Sequence, residues 1–141
     1  MNTLSAHVRM YINAPAPNVW DALTNPVQIK KYLHGTNAIS DWKVGSALNF
    51  EGEWKGKTYH DKGVILKMVP EKLLQYSWLS SMSGLEDKPE NYMIVTYELS
   101  PANGGTELKL TQENIADEAS RKGSEENWEA VLRDLKKIVE H

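Results

Sequence analysis

The fold is decided by residues 124–139, which read SEENWEAVLRDLKKIV. Apolar side chains recur at helical spacing along this stretch, namely Trp128, Val131, Leu132, Leu135, Ile138 and Val139. On an α-helix that spacing forms one continuous apolar stripe. Ser124 is a good N-cap residue, and about 16 residues at 1.5 Å each give a helix of roughly 24 Å. A helix of this length can lie across a curved sheet with its apolar stripe covered.

A strand followed by one or two short helices is predicted at the start of the chain. Apolar and polar residues alternate over 4–12, and this period of two is typical of a half-buried β-strand. Pro15 and Pro17 end the strand because proline cannot donate to a ladder of hydrogen bonds. Pro17 suits the first turn of a helix. A second short helix is predicted from Val27 to Leu33.

Five further strands are predicted between these helices and the C-terminal one. The period of two returns in the ranges 42–54, 58–69, 72–80, 92–99 and 106–114. Turn signals such as Pro101-Ala102-Asn103-Gly104-Gly105 separate these runs. Short strands joined by tight turns indicate an antiparallel meander. We therefore predict an α+β fold in which a curved six-stranded antiparallel sheet wraps around the long C-terminal helix.

Composition bounds the class of protein. With 141 residues, 40% of them hydrophobic and 25% charged, the chain fits a single globular domain over 1–141. A net charge of −3 argues against nucleic acid as a partner, because duplex binding depends on Lys and Arg neutralising phosphates. There is no cysteine, no apolar stretch of the roughly 20 residues that span a bilayer, and no signal-peptide pattern in Met1–Ser5. These features predict a cytoplasmic protein.

No residue pattern predicts catalysis, a metal or a cofactor. The four histidines, His7, His34, His60 and His141, lack the spacing of metal ligands. Glu51 and Glu53 share one face of a predicted strand, but that face is expected to be in solvent, whereas acid–base pairs need contrasting environments. The sequence also contains no Gly-x-Ser-x-Gly nucleophile motif and no glycine-rich phosphate loop.

The aromatic residues suggest a cavity. Five tryptophans and six tyrosines accompany one phenylalanine, and both Trp and Tyr combine apolar bulk with a hydrogen-bonding group. Such residues suit the wall of a ligand cavity, although they also fill cores. The candidate wall consists of Phe50, Trp54, Tyr76, Trp78, Trp128, Leu132 and Leu135. Gln112 and Thr96 are candidates for polar contacts inside it.

One predicted connection is unusually long. Residues 80–90 join two strands, whereas hairpin loops usually have 2–5 residues. Met82 and Leu85 are apolar residues in this otherwise polar segment. The segment is either a lid over a cavity entrance or a mobile connection whose apolar residues have no special role.

The element order resembles the helix-grip fold of the START-like superfamily, also called SRPBCC. Local segments resemble the family of homologues of the activator of the ninety-kilodalton heat-shock protein ATPase. The segments are Ala14-Pro15-Ala16-Pro17-Asn18-Val19-Trp20-Asp21-Ala22-Leu23-Thr24, Trp42-Lys43-Val44-Gly45-Ser46, Gly63-Val64-Ile65-Leu66 with Val69-Pro70-Glu71-Lys72-Leu73 and Tyr76-Ser77-Trp78, Val95-Thr96-Tyr97-Glu98-Leu99, Gly105-Thr106-Glu107-Leu108-Lys109-Leu110, and Asn127-Trp128 with Leu132 and Leu135. Together they span nearly the whole chain in the expected order.

This resemblance implies three functions, taken in order of preference. The first is the binding of a small, largely apolar molecule between the sheet and the C-terminal helix, without chemistry. The second is a protein-interaction module that acts on a chaperone ATPase, as the family's namesakes do. The third is an enzyme, because the superfamily includes cyclases and hydrolases, although the resemblance implies no shared catalytic residue. An exposed sheet edge or Trp42 could support a dimer, but no residue pattern demands one.

Overall fold

The computed structural model describes residues 4–33, 35–81 and 83–140, and for Trp54 it describes the backbone alone. Predictions that involve His34, Met82, His141 or the Trp54 side chain therefore lie outside the described residues. Within them, the chain forms a seven-stranded antiparallel sheet and three α-helices. No helix in this described part is long and apolar enough to cross a membrane.

The sheet runs in the order β1-β7-β6-β5-β4-β3-β2, so every neighbouring pair except β1–β7 is consecutive in the chain. The strands are β1 (Leu4–Ile12), β2 (Asn37–Ser40), β3 (Ala47–Trp54), β4 (Lys57–Val69), β5 (Leu73–Trp78), β6 (Met93–Ala102) and β7 (Gly105–Ile115). The helices are α1 (Ala16–Thr24), α2 (Pro26–Tyr32) and α3 (Glu118–Val139). A short 3₁₀ helix at Pro89–Asn91 precedes β6. The predicted α+β helix-grip fold is confirmed.

The predicted number of six strands is wrong, since β2 was not foreseen. It has only four residues, too few to show a clear alternation of apolar and polar side chains. It forms an edge of the sheet by pairing with β3, from Asn37 opposite Glu51 to Ser40 opposite Leu48. Its one buried side chain, Ala38, joins the core.

The C-terminal helix is longer than the sequence predicts. Its N-cap is Asp117, whose carboxylate accepts a hydrogen bond of 2.8 Å from the Ser120 backbone amide, so the prediction of Ser124 as N-cap is wrong. Gly123 and Ser124 resemble a helix terminus in sequence, yet both lie within α3. The helix has 22 residues, or about 33 Å at 1.5 Å per residue. The additional turns extend α3 toward the cavity described below.

We predict that the Asp117 cap makes α3 sensitive to acid. Hydrogen bonds from Ser120 hold the pKa of the Asp117 carboxyl below its usual range. Because this pKa is lower in the folded than in the unfolded chain, the cap stabilises the protein above the unfolded value of about 3.9. That contribution disappears as the pH falls through the folded value. Asp117→Asn, whose amide caps at any pH, should lose less stability than the parent between about pH 6 and about pH 3. Urea unfolding at both pH values measures the loss in free energy of unfolding for each protein. Equal losses in the parent and in Asp117→Asn would contradict the prediction.

The apolar stripe of α3 packs on the inner face of the sheet. Val131, Leu132 and Leu135 are buried and belong to one core cluster with side chains from β1–β7. The helices α1 and α2 close one end of this core through Val19, Leu23 and Ile29, among others. The N-terminal half of α3 lies beyond this packed region, which leaves space between helix and sheet.

Candidate functional site

A cavity of about 610 Å³ lies between the inner face of the sheet and the N-terminal half of α3. Its lining comes from β3–β7, α3 and the segments next to these and other elements. The lining residues are Leu33, Thr36, Phe50, Glu53, Tyr59, Asp61, Tyr76, Trp78, Ser80, Met93, Gln112, Ser120, Ser124, Asn127, Trp128 and Val131. This volume falls within the range of about 300–1,000 Å³ that is typical of small-molecule sites.

A row of aromatic rings crosses the inner face of the sheet and reaches α3. The ring centres of Phe50 and Tyr76 are 5.8 Å apart, and those of Tyr76 and Tyr97 are 6.2 Å apart. Trp128 of α3 meets Tyr97 edge-to-face at 6.2 Å. Offset and edge-to-face geometries are the favourable ones for aromatic pairs. Phe50, Tyr76 and Trp128 of this row line the cavity and give it an aromatic floor.

The structure brings together four of the seven predicted site residues. Phe50, Tyr76, Trp78 and Trp128 line the cavity. Leu132 and Leu135 are fully buried in the core and are not part of the lining, whereas Val131 is. At about 100° and 1.5 Å per residue, Leu132 points about 100° away from Val131, whereas Leu135 points almost the same way as Trp128 but lies about 10 Å farther along the helix. The Trp54 side chain lies outside the described residues.

Gln112 on β7 connects the sheet to α3 inside the cavity. Its side chain is 5% exposed, and its Oε1 accepts hydrogen bonds from Trp128 Nε1 at 2.6 Å and from Ser124 Oγ at 2.7 Å. Its Nε2 donates to the sulfur of Met93 at 2.6 Å. An indole N–H can only donate, so the Trp128 contact fixes which end of the amide faces the helix. Thr96, the other predicted polar contact, is instead bonded to Gln75 and does not line the cavity.

The buried tyrosine hydroxyls in and next to the floor of the cavity remain neutral. Burial raises the pKa of Tyr76 to about 12 and that of Tyr97 well above its usual range. Burial likewise raises the pKa of Tyr32, whose hydroxyl donates to the Ala22 carbonyl at 2.8 Å. Near neutral pH these groups can form hydrogen bonds but do not carry charge.

The wall formed by β3 and β4 contains lining residues that sequence analysis did not identify. The hydroxyls of Tyr59 and Thr36 are hydrogen-bonded to each other. The Tyr59 ring lies over Gly52, where an added methyl group would be 2.7 Å from Cζ of the ring. The sequence feature that could have pointed to Tyr59 is Gly52, which shares one face of a predicted strand with Phe50. A strand glycine has no side chain, so a neighbouring ring can approach its backbone closely.

The carboxylates and histidines take different positions. Glu53 and Asp61 line the cavity, whereas the imidazole of His60 lies on the outer face, 3.2 Å from Asn49 Oδ1 and 3.7 Å from Glu51. Cross-strand pairing explains the positions of Asp61 and His60, since Asp61 is opposite the inward-facing Phe50 and His60 is opposite Glu51. Glu53 is exposed and alternates along β3 with Phe50 and Gly52. Among the described residues, no group of three His, Asp or Glu side chains could hold a metal ion.

The long connection before β6 is attached to the sheet at several points. Asp87 forms an ion pair with Lys62 of β4 and accepts a hydrogen bond of 2.6 Å from the Tyr92 hydroxyl. Lys62, and secondarily Tyr92, hold the pKa of the Asp87 carboxyl below its usual range. Leu85 is 52% exposed and does not line the cavity, while Ser80 does.

Comparisons with known proteins identify the family. The solution structure of protein ChR145 from Cytophaga hutchinsonii is 48% identical, with 98% of this chain and 95% of that one covered and a TM-score of 0.85. The crystal structure of CV1439 from Chromobacterium violaceum is 26% identical, with 97% of each chain covered and a TM-score of 0.83. The Aha1 dimer from Colwellia psychrerythraea is 19% identical over 97% of this chain and 96% of that one, with a TM-score of 0.76, and shares the fold.

No curated protein matches the chain. The model of the family described as "Activator of Hsp90 ATPase homolog 1-like protein" matches residues 13–140, nearly the whole sequence. The predicted START-like resemblance is confirmed, and the chain belongs to the family of activator of Hsp90 ATPase homolog 1-like proteins.

Proposed function

We propose that the protein binds a small, largely apolar molecule in the cavity between its sheet and α3, without chemical change. The observation that carries this proposal is the cavity itself, about 610 Å³ with a floor and walls of aromatic rings. Binding sites for small molecules combine such apolar walls with a few fixed polar groups. Gln112, Thr36 and Tyr59 supply polar groups of that kind here.

The contacts within the cavity favour binding over catalysis. Gln112 Oε1 is occupied by two donors, and the hydroxyls of Tyr59 and Thr36 are bonded to each other. Tyr76 is neutral because burial raises its pKa to about 12. General acid–base catalysis works best with a group that titrates near the working pH, and Tyr76 does not.

The proposal can be tested with an uncharged fluorophore, N-phenyl-1-naphthylamine, which brightens in apolar surroundings. We expect the protein to bind it with saturation at one site. Trp78→Ala should weaken this binding by about tenfold to a hundredfold, because a buried aromatic ring contributes on the order of 1.5–3 kcal/mol to an apolar contact. Titration of parent and variant measures the ratio of the two dissociation constants.

Trp20→Ala is the matched control. Trp20 packs against the core from α1 and is also partly buried, but it does not line the cavity. Its removal should lower the free energy of unfolding while leaving the affinity for the fluorophore nearly unchanged. Equal losses of affinity in the two variants would show that the fluorophore does not occupy this cavity.

Membership of the family supports a second candidate, a protein-interaction module that acts on a chaperone ATPase. This function requires that the isolated chain change the rate of ATP hydrolysis by the chaperone. Steady-state ATPase assays with increasing amounts of the protein measure the effect. No change at saturating protein would reject this candidate and would leave ligand binding unaffected.

A further inference from the structure

The two ends of the cavity differ in polarity, and this difference restricts the chemistry of the ligand that it can bind. One end is formed by Gln112 of β7, and the other by Glu53 and Asp61 of β3 and β4. The strands β7 and β4 are three strand spacings apart in the sheet, roughly 14 Å at about 4.8 Å each. A ligand that fills the cavity therefore meets both ends.

Gln112 presents a buried donor that lacks a strong acceptor. The Trp128 indole and the Ser124 hydroxyl fix the Oε1 end of the amide, so Nε2 must face the other way, toward Met93 and the cavity. A thioether sulfur is a weak acceptor, and the amide carries two N–H groups. The second N–H has no acceptor among the described residues. A buried donor without a partner is costly, so an oxygen or nitrogen acceptor on a ligand would be stabilised here.

The other end of the cavity is acidic. Asp61 Oδ1 accepts hydrogen bonds from the backbone amide and hydroxyl of Ser81, at 2.9 and 3.2 Å, and Oδ2 takes none among the described residues. Glu53 forms no ion pair within the described part of the chain, and the described lining contains no Lys, Arg or His. An anionic ligand would meet two carboxylates and no compensating cation, which is unfavourable in a partly enclosed site.

From these two observations we infer that the ligand is an uncharged or cationic apolar molecule with a hydrogen-bond acceptor that reaches Gln112. Carboxylates and sulfonates, including fatty acids, are disfavoured by the acidic end. The inference rests on the proposed function, because it specifies what the same cavity binds. It deepens that proposal by assigning Gln112 as the polar contact and Glu53 and Asp61 as the selectors of charge.

Two fluorophores with one ring system test the charge selectivity. The compound 1-anilinonaphthalene-8-sulfonate is N-phenyl-1-naphthylamine with an added sulfonate, so the pair differs in that anionic group. We expect the uncharged compound to bind at least about tenfold more tightly. In the double variant Glu53→Gln/Asp61→Asn, the sulfonate should bind about tenfold more tightly than in the parent. Binding of the uncharged compound should change little.

A second double variant, Glu98→Gln/Glu126→Gln, controls for net charge. It removes the same number of carboxylates from exposed positions of β6 and α3 outside the cavity lining. Its affinity for the sulfonate should remain within about twofold of the parent value, because the charges of exposed side chains outside the cavity lining are weakened by water and screened by salt. An equal gain in both double variants would reject local selection by Glu53 and Asp61.

A ketone-bearing fluorophore, 6-propionyl-2-(dimethylamino)naphthalene, tests the role of Gln112. Gln112→Glu keeps an oxygen for Trp128 and Ser124 and replaces the donor with a carboxylate oxygen. Binding of the ketone should weaken by about tenfold, because the variant loses the hydrogen bond from the amide and places a carboxylate oxygen that repels the ketone oxygen. N-phenyl-1-naphthylamine, which has no carbonyl, should change by less than about threefold. Thermal unfolding of the variant checks its fold.

An NMR measurement on the unmodified protein gives the same information without substitution. The side-chain amide protons of Gln112 should move downfield when the ketone binds and should move less with N-phenyl-1-naphthylamine. Equal shifts with the two compounds, or equal losses of affinity for them in Gln112→Glu, would overturn the assignment of Gln112.

The outcomes for charge selection and for ligand binding can be distinguished. If the sulfonate binds as tightly as the uncharged compound and its binding depends on Trp78, the inferred charge selection is wrong but the proposed ligand binding is not. If no fluorophore binds, the proposed function itself fails.

Discussion

Leu132→Ala is expected to lower the free energy of unfolding by about 2–5 kcal/mol while leaving ligand affinity within about threefold of the parent value. Leu132 is fully buried in the cluster between α3 and the sheet and does not line the cavity. Removing its side chain deletes apolar contacts and leaves a void that the packed surroundings fill only in part. Urea unfolding and titration with N-phenyl-1-naphthylamine, made on the same samples, separate the two effects.

The adjacent residue provides the matched comparison. Val131 is also buried, at 4% exposed, yet it does line the cavity. Val131→Ala should therefore weaken fluorophore binding more than Leu132→Ala does, although it deletes fewer atoms from the core. The reverse order of affinities would mean that Leu132 belongs to the cavity wall, as the sequence alone suggests.

Gly63→Ala is expected to lower the free energy of unfolding by about 3 kcal/mol or more. A methyl group on Gly63 would overlap the carbonyl oxygen of Ser77 and would lie 2.6 Å from its carbonyl carbon and 3.3 Å from the Cα of Trp78. These are backbone atoms of β5, which cannot move aside as a flexible side chain can. Because β5 also carries Trp78, ligand affinity should fall together with stability, as unfolding and titration experiments would show.

Gly123→Ala is the control for this substitution, and it should act in the opposite direction. Gly123 lies in the middle of α3 with nothing within 4 Å of an added methyl group. Alanine is favoured over glycine in helix interiors, so the variant should gain about 0.5–1 kcal/mol. A loss of stability at position 123, or a negligible effect at position 63, would contradict the packing described for these two glycines.

Much of the fold follows from local periodicity. The alternation over 4–12 and the stripe from Trp128 to Val139 each correspond to an observed element that buries the predicted face. Two features of the fold could not be predicted from the sequence, because their local sequence signals are weak or misleading. Four residues are too few to reveal β2, and Gly123-Ser124 resembles a helix start although the capping group is Asp117.

The site was less predictable than the fold. Alternation along β3 and β5 indicates that Phe50, Tyr76 and Trp78 face inward, and the structure places all three at the cavity. Whether a side chain of α3 lines the cavity or packs in the core depends on where the sheet curves away from the helix. No local sequence pattern indicates that position. The contact between Gln112 and Trp128 joins residues 16 positions apart, and it is determined by how β7 leads into α3.

The most direct test of ligand binding is native mass spectrometry of the purified protein, compared with its mass after denaturation. We predict a reproducible excess mass that disappears on unfolding and that corresponds to an uncharged or cationic apolar molecule. Leu132→Ala should retain this excess if the variant is folded, whereas Trp78→Ala should lose it. A native mass equal to the denatured mass, in a protein that also fails to bind N-phenyl-1-naphthylamine, would contradict the proposal that the cavity is a ligand site.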